Sequence, residues 1–423
     1  MIAPSGVIGP PVTPPTSGLV NIEGLPAAYV TCTVVCTGAT STGMAHPPPG
    51  GVAPPPVPIV IGSLSVKING FPAARWIPSQ DVAACTVFLG DPKLAATRTV
   101  HIGGPVMPGA LSGKILRVAQ RKYQIGLSKY ELSQMDEDDD EREELQEAVE
   151  RFERNNKNIE KAKLCADVYS PEKGPPVGWK NISKDPEELA KLGLDPENLS
   201  APGSDYRAQV YRPDPAVFGE DQKTTLVFKG TTPSSGEDWQ NNLAQGQDKD
   251  SLYYEKAVTA GKMLDNSGAD VDIAGHSLGG GMAEGASRAS GRPAVTFNAA
   301  GLHPNTVEHY GGSVHEAASG GDYVTAYRVD NEMLTGIQEH SVKGTAFAGL
   351  LGGALGALVG NPMLGAELGV AAKLYISSQM PNAGGTKYSL PGSSHPISRH
   401  SMDQVIAGLE EQKEEDWAVL TGS

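Results

Sequence analysis

The spacing of apolar residues changes twice along the chain. In residues 1–112, apolar and polar side chains alternate over very short runs, the two-residue period of half-buried strands. Three runs are related: Val20-Asn-Ile-Glu-Gly24, Val66-Lys-Ile-Asn-Gly70 and Val100-His-Ile-Gly-Gly104. The first two continue as Leu25-Pro-Ala-Ala28 and Phe71-Pro-Ala-Ala74. Each reads as a short strand closed by a glycine turn, and none is long enough to bury a core alone. They predict one small all-β unit assembled from related arms, with a metal as a natural pin. Residues 113–160 switch to helical spacing and carry an acidic run from Asp136 to Glu150 in which Arg142 is the one cation. This predicts a helical connector whose carboxylates face water. Across 161–423, strand and helix patterns alternate. Gln209-Val-Tyr, Thr225-Leu-Val-Phe and Val271-Asp-Ile-Ala read as strands and 251–265 as a helix, which predicts a largely parallel sheet flanked by helices.

Composition sharpens this division. Of the 33 prolines, 18 precede residue 112, so the turn-rich part is confined to the first unit. A length of 423 residues suits two or three units and a full enzyme core. The formal charge of -15, with no basic stripe, excludes a nucleic-acid grip and disfavours plain electrostatic docking on anionic lipid. Four cysteines, Cys32, Cys36, Cys85 and Cys165, are too few for a disulfide framework and point to synthesis in a reducing cytoplasm. Residues 1–11 have neither a basic nor an apolar signal region, so export is expected to use a route other than an ordinary signal peptide.

The sharpest chemical signal is Gly275-His-Ser277-Leu-Gly279, between the Val271-Asp-Ile-Ala strand and a run able to continue as a helix. A serine on a tight strand-to-helix turn tolerates only small neighbours, and the helix start aims N–H groups at developing negative charge. Ser277 is therefore the candidate nucleophile, and it needs a base and an acid further along the chain. His400 stands at a loop-to-helix junction and is favoured as the base over His395, which is flanked by proline. Asp330 and Glu332, at the end of the Val324–Val329 strand, are the alternatives for the acid. Thr231, after the Thr225–Phe228 strand, and Leu278 are the candidate oxyanion donors. Asp238 and Trp239 read as residues that hold the Thr231 loop.

These features, in this order, resemble the class 3 lipase family over roughly residues 161–423. The resemblance implies an α/β-hydrolase fold and hydrolysis of glycerolipid esters by a serine triad, with no cofactor for catalysis. In that family's pattern Glu332 falls where an Asp is usual, which leaves Glu332 and Asp330 both open. A carboxylesterase or thioesterase acting on smaller acyl groups is the nearest alternative, and an inert hydrolase region on a structural spike protein is a more distant one.

The N-terminal repeat, with Phe71-Pro-Ala-Ala-Arg75, resembles the PAAR domain, a conical module that caps the spike of bacterial type VI secretion systems. That resemblance implies bound zinc, with Cys32, Cys36, His46 and Cys85 as candidate ligands and His101 left on a strand. It also implies the trimeric valine-glycine repeat spike protein as a partner, a cognate immunity protein in the donor, and phospholipid membrane as substrate. The chain would be made in the donor cytoplasm and delivered by the secretion system to the periplasm or membrane surface of a target cell. The expected architecture is thus multidomain: an all-β PAAR-like unit (1–112), an acidic helical linker (113–160) and a class 3 lipase-like domain (161–423). Residues 344–366 carry no charge. Glycines and the Asn361-Pro362 break make a helical pair beside the active site a better expectation than a membrane span.

Overall fold

The structure is a computed structural model that describes residues 6–11, 20–22, 25–27, 29, 32–36, 57–58, 62–68, 71–74, 109–136, 140–232, 241, 249–318, 323–338, 381–393 and 395–422. It divides into two compact units. The first comprises Met1–Val149 with Pro213–Gln222 and Leu420–Ser423, and the second Glu150–Arg212 with Lys223–Val419.

In the first unit the strands are β1 (Gly6–Pro11), β2 (Asn21–Ile22), β3 (Leu25–Pro26), β4 (Cys32–Cys36), β5 (Val57–Pro58), β6 (Gly62–Ile68) and β7 (Phe71–Ala74). β4 pairs antiparallel with both β1 and β5. The sequence repeat returns as a repeat of pairing. Asn21 and Ile22 face Pro26 and Leu25 in the first copy, and Lys67 and Ile68 face Pro72 and Phe71 in the second. The third copy lies outside the described residues. Tyr29 follows the first copy and docks on the second, bridging to Ala73 and stacking on Phe71 with ring centroids 5.5 Å apart.

Helix α1 (Gly109–Leu132) buries Ile115 and Ala119 and packs on the short helix Pro215–Phe218. The Lys114 ammonium lies 5.4 Å from the centre of the Phe218 ring, and Lys122 donates to the Phe218 carbonyl and pairs with Asp221 at 2.7 Å. Helix α2 (Asp140–Asp167) turns Leu145, Ala148, Val149 and Phe152 inward at helical spacing, while Glu143, Glu144 and Glu147 are exposed.

The second unit is built on a seven-stranded sheet of strictly sequential order, with β8 (Trp179–Asn181) at one edge and β14 (Thr386–Leu390) at the other. Between them lie β9 (Ala208–Pro213), β10 (Thr225–Phe228), β11 (Asp272–His276), β12 (Ala294–Phe297) and β13 (Val324–Val329). From β10 to β14 all neighbours are parallel, and β9 is antiparallel to β10. Helices α3 (Leu252–Ser267) and α4 (Leu278–Ser290) share one core with Ile273, in which Tyr253, Ala257, Met282 and Ala286 are fully or almost fully buried.

Because successive strand residues face opposite ways, Asp272 and His276 point to the other side of β11. There Asp272 pairs with Lys161 of α2 at 2.8 Å. Tyr327 of β13 donates to Asn155 of α2 at 3.0 Å and accepts from Asn158. Two further helices are α5 (Met333–Gln338), after β13, and α6 (Met402–Thr421). α6 lies along α2, with Arg151 bonded to Asp416 and Phe152 beside Trp417. No described helix is long and apolar enough to cross a membrane. Residues 344–366 lie outside the description.

Candidate active site

Ser277 joins β11 directly to α4 with φ 58° and ψ -126°, a conformation costly for a residue bearing a Cβ. Such strain persists only where the surroundings impose it, and the flanking glycines let them do so. A Cβ on Gly275 would stand 1.9 Å from the Gly279 carbonyl oxygen, and one on Gly279 would stand 2.3 Å from that of Phe228. The elbow is pinned by main-chain bonds from Ser277 N–H to the Phe297 carbonyl and from Ala300 N–H to the Ser277 carbonyl, at 3.0 and 2.9 Å.

The structure brings Ser277, His400 and Glu332 together. His400 Nε2 lies 2.9 Å from Ser277 Oγ, and His400 Nδ1 lies 2.7 Å from Glu332 Oε2. With Nδ1–H donating to the carboxylate, Nε2 is left to accept the serine proton. Glu332 is fully buried and opens α5, where the N–H groups of Leu334 and Thr335 also donate to its carboxylate. Burial pushes this carboxyl up, but the charge of His400 and the hydrogen bonds from His400 and Thr335 outweigh it, so the net shift is downward. Asp330 is exposed; its carbonyl accepts from Arg399 at 2.7 Å, and its carboxylate is not among the partners of His400. His395 is likewise exposed, and the ring that meets Ser277 and Glu332 is that of His400.

The candidate oxyanion donors flank the elbow. Leu278 is the first residue of α4 and is fully buried, and helix starts leave their first N–H groups without intrahelical acceptors. The Phe228–Gly230 segment lies against α4, since a Cβ on Gly279 would also stand 3.0 Å from Gly230 N. Thr231 follows at once, and its hydroxyl is buried without a hydrogen-bond partner among the described residues. Asp238 and Trp239 lie outside the description.

Of the candidate zinc ligands, Cys32 is buried in β4 and its sulfur accepts the Tyr29 N–H at 3.5 Å, while burial raises its thiol. Cys36 ends the same strand, and His46, Cys85 and His101 lie outside the described residues.

Three residues that sequence reasoning left aside stand beside the triad. His276 Nε2–H donates to the His400 carbonyl at 2.7 Å, and its Nδ1 accepts from the Tyr169 hydroxyl at 2.8 Å. Asn298, fully buried and with φ 43°, donates to the carbonyls of Arg399 and His400, both at 3.2 Å, and accepts from Val329 N–H at 2.9 Å. A signal for His276 existed in its place next to the nucleophile. Tyr169 and Asn298 carry none that one sequence can display.

Comparison with known proteins agrees with this architecture. Residues 6–85 match the PAAR motif. The chain is 36% identical over 183 residues to a protein named extracellular phospholipase A1 from Serratia liquefaciens, a match that covers 42% of this chain and 53% of the relative. The chain thus spans about half the length of the curated relative it matches. Residues 160–395, more than half of the chain, match the Tle-like phospholipase domain, and with that domain behind a PAAR motif the chain belongs to the Tle-like phospholipase family.

Proposed function

We propose that this protein is a serine phospholipase carried to a target cell by a type VI secretion spike. The observation that carries the chemical part is the unbroken hydrogen-bond chain Ser277–His400–Glu332 at a strained strand-to-helix elbow. Ser277 Oγ attacks the acyl carbonyl while His400 Nε2 takes its proton, and buried Glu332 stabilises the imidazolium that forms. The tetrahedral oxyanion is held by the N–H groups of Leu278 and Thr231, with the Thr231 hydroxyl, which has no partner among the described residues, as a further donor. Collapse expels the lysolipid, which takes the proton back from His400. Water, activated by the same imidazole, then releases the fatty acid and restores Ser277.

The match to a phospholipase A1 makes that acyl position the first to assay. The PAAR motif supports docking on the trimeric valine-glycine repeat spike protein and passage through the secretion system. In the same reading, residues 1–112 form the compact all-β tip, zinc is held there by ligands from Cys32, Cys36, His46 and Cys85, residues 161–423 form an α/β-hydrolase domain, and an immunity protein shields the donor. The deciding experiment measures fatty-acid release from mixed phospholipid vesicles by the purified chain, Ser277→Ala and His400→Ala. Release by the parent alone is expected; equal silence of all three on vesicles, with turnover of small soluble esters, would replace this reading with that of a carboxylesterase.

A further inference from the structure

His400 is held from two sides. Its ring meets Ser277 and Glu332, and its main-chain carbonyl meets two side chains with no part in the proton relay. That oxygen accepts from His276 Nε2–H at 2.7 Å and from Asn298 Nδ2–H at 3.2 Å. Asn298 leaves the end of β12, grips the neighbouring Arg399 carbonyl and takes the Val329 N–H from the end of β13. His276 ends β11, and its ring centre lies 5.0 Å from that of His400. The ends of three adjacent strands thus fix one peptide group in the loop that carries the base.

Tyr169 sets the state of this clamp. Its hydroxyl donates to His276 Nδ1, which requires the neutral tautomer with hydrogen on Nε2, the one able to donate to His400. The same hydroxyl lies against the turn before Thr231, since a Cβ on Gly230 would stand 2.3 Å from it and 2.3 Å from the His276 carbonyl oxygen. The main chain of Tyr169 is tied down by Arg207, which donates to the carbonyls of Val168 and Tyr169. Burial, and next the charge of His400, push His276 down to about 3, so its ring stays neutral beside an imidazole that becomes positive during attack.

We infer that His276 and Asn298 are positioning residues that clamp the His400 carbonyl, and that the Tyr169 hydroxyl sets the clamp by selecting the His276 tautomer. The inference rests on the triad reading. Without the clamp the His400 loop is free to shift, and displacement of a general base by about 1 Å costs on the order of 100-fold in turnover.

The test uses the full chain with p-nitrophenyl butyrate as substrate. It records kcat, KM, the rate of labelling by a fluorophosphonate and the thermal midpoint for His276→Leu, His276→Gln, Tyr169→Phe and Ser277→Ala. His276→Leu should lower kcat and the labelling rate together by roughly 100-fold with KM within about twofold. His276→Gln, whose amide can donate from nearly the same point, should recover most of the loss, and Tyr169→Phe should lose about tenfold, the worth of one hydrogen bond. A Gln variant as slow as the Leu variant at equal thermal midpoint would overturn the clamp, as would Tyr169→Phe at parental kcat, a result that remains decisive if the Leu variant fails to fold. Activity surviving in Ser277→Ala would instead overturn the triad.

Discussion

Replacing Glu332 by Gln changes one oxygen to an amide nitrogen and alters almost nothing in volume. The parent carboxylate accepts from three donors: His400 Nδ1–H, Leu334 N–H and Thr335 N–H. Gln has one acceptor oxygen, so its amino group must face one of those donors. If it faces His400, the imidazole reverses its tautomer, presents Nε2–H to Ser277 and cannot accept the serine proton. If it faces α5, the ring keeps its tautomer but loses the counter-charge. Glu332 is fully buried and its oxygen lies 2.7 Å from the ring nitrogen. Two unit charges about 4 Å apart at an effective dielectric constant near 20 interact by about 4 kcal/mol. That corresponds to roughly a 1,000-fold fall in kcat. Steady-state hydrolysis of a soluble ester, with circular dichroism and a thermal melt on the same sample, checks the number. A folded Glu332→Gln protein within tenfold of the parent would refute the claim that this carboxylate serves the imidazole.

Acid should destabilise the second unit partly through His276. Its folded value lies near 3 against an ordinary 6.5, so between those values the unfolded chain binds a proton that the native chain refuses, and stability falls as pH drops. Integrated over that window the effect reaches at most about 5 kcal/mol. Glu332, held below its ordinary value, acts in the same direction, its contribution being lost as pH falls through its folded value. His276→Gln should therefore show a flatter thermal midpoint between pH 6.5 and 3 than the parent, and superimposable slopes would contradict a buried neutral imidazole. Lys161→Met leaves the Asp272 carboxylate in a site only 5% exposed, which should cost about 3 to 5 kcal/mol in urea unfolding. Lys161→Met with Asp272→Leu should regain much of that loss; a double variant no better than the single one would count against the ion pair. Metal analysis of the purified chain should find about one zinc per chain, and chelation should lower a thermal transition while leaving ester hydrolysis intact; protein purified without zinc would end that expectation.

The parts of the fold legible in the sequence are those with strong local patterning. β10, β11 and β13, the helix starting near residue 251 and the helix after His400 all stand where periodicity places them, because each is a sustained apolar run with a clear start. β8, β12 and β14 passed unread. Trp179–Asn181 is three residues long, Ala294–Phe297 is a four-residue run with no alternation, and Thr386–Leu390 exposes every second residue at a sheet edge. The elbow was legible because its chemistry demands glycines at fixed offsets. Between Asp330 and Glu332 no local rule decides: the choice depends on the turn at Asn331, whose φ is 57°, and on which carboxylate then opens α5. Tyr169 and Asn298 reach the site by tertiary packing alone: Tyr169 stands 107 residues before His276, and Asn298 stands 102 residues before His400.

The strictly sequential order of the sheet bears on how the protein comes into being. Each parallel strand from β11 to β14 docks beside the one made just before it, so the sheet can extend outward in the order of synthesis. Ser277 stands at its elbow early in that order, and the proposed base, His400, follows 123 residues later. In the proposed triad, a nascent chain with a finished elbow therefore has a nucleophile without a proton acceptor. On the proposed triad, the site is complete only once the loop bearing His400 seats against the sheet.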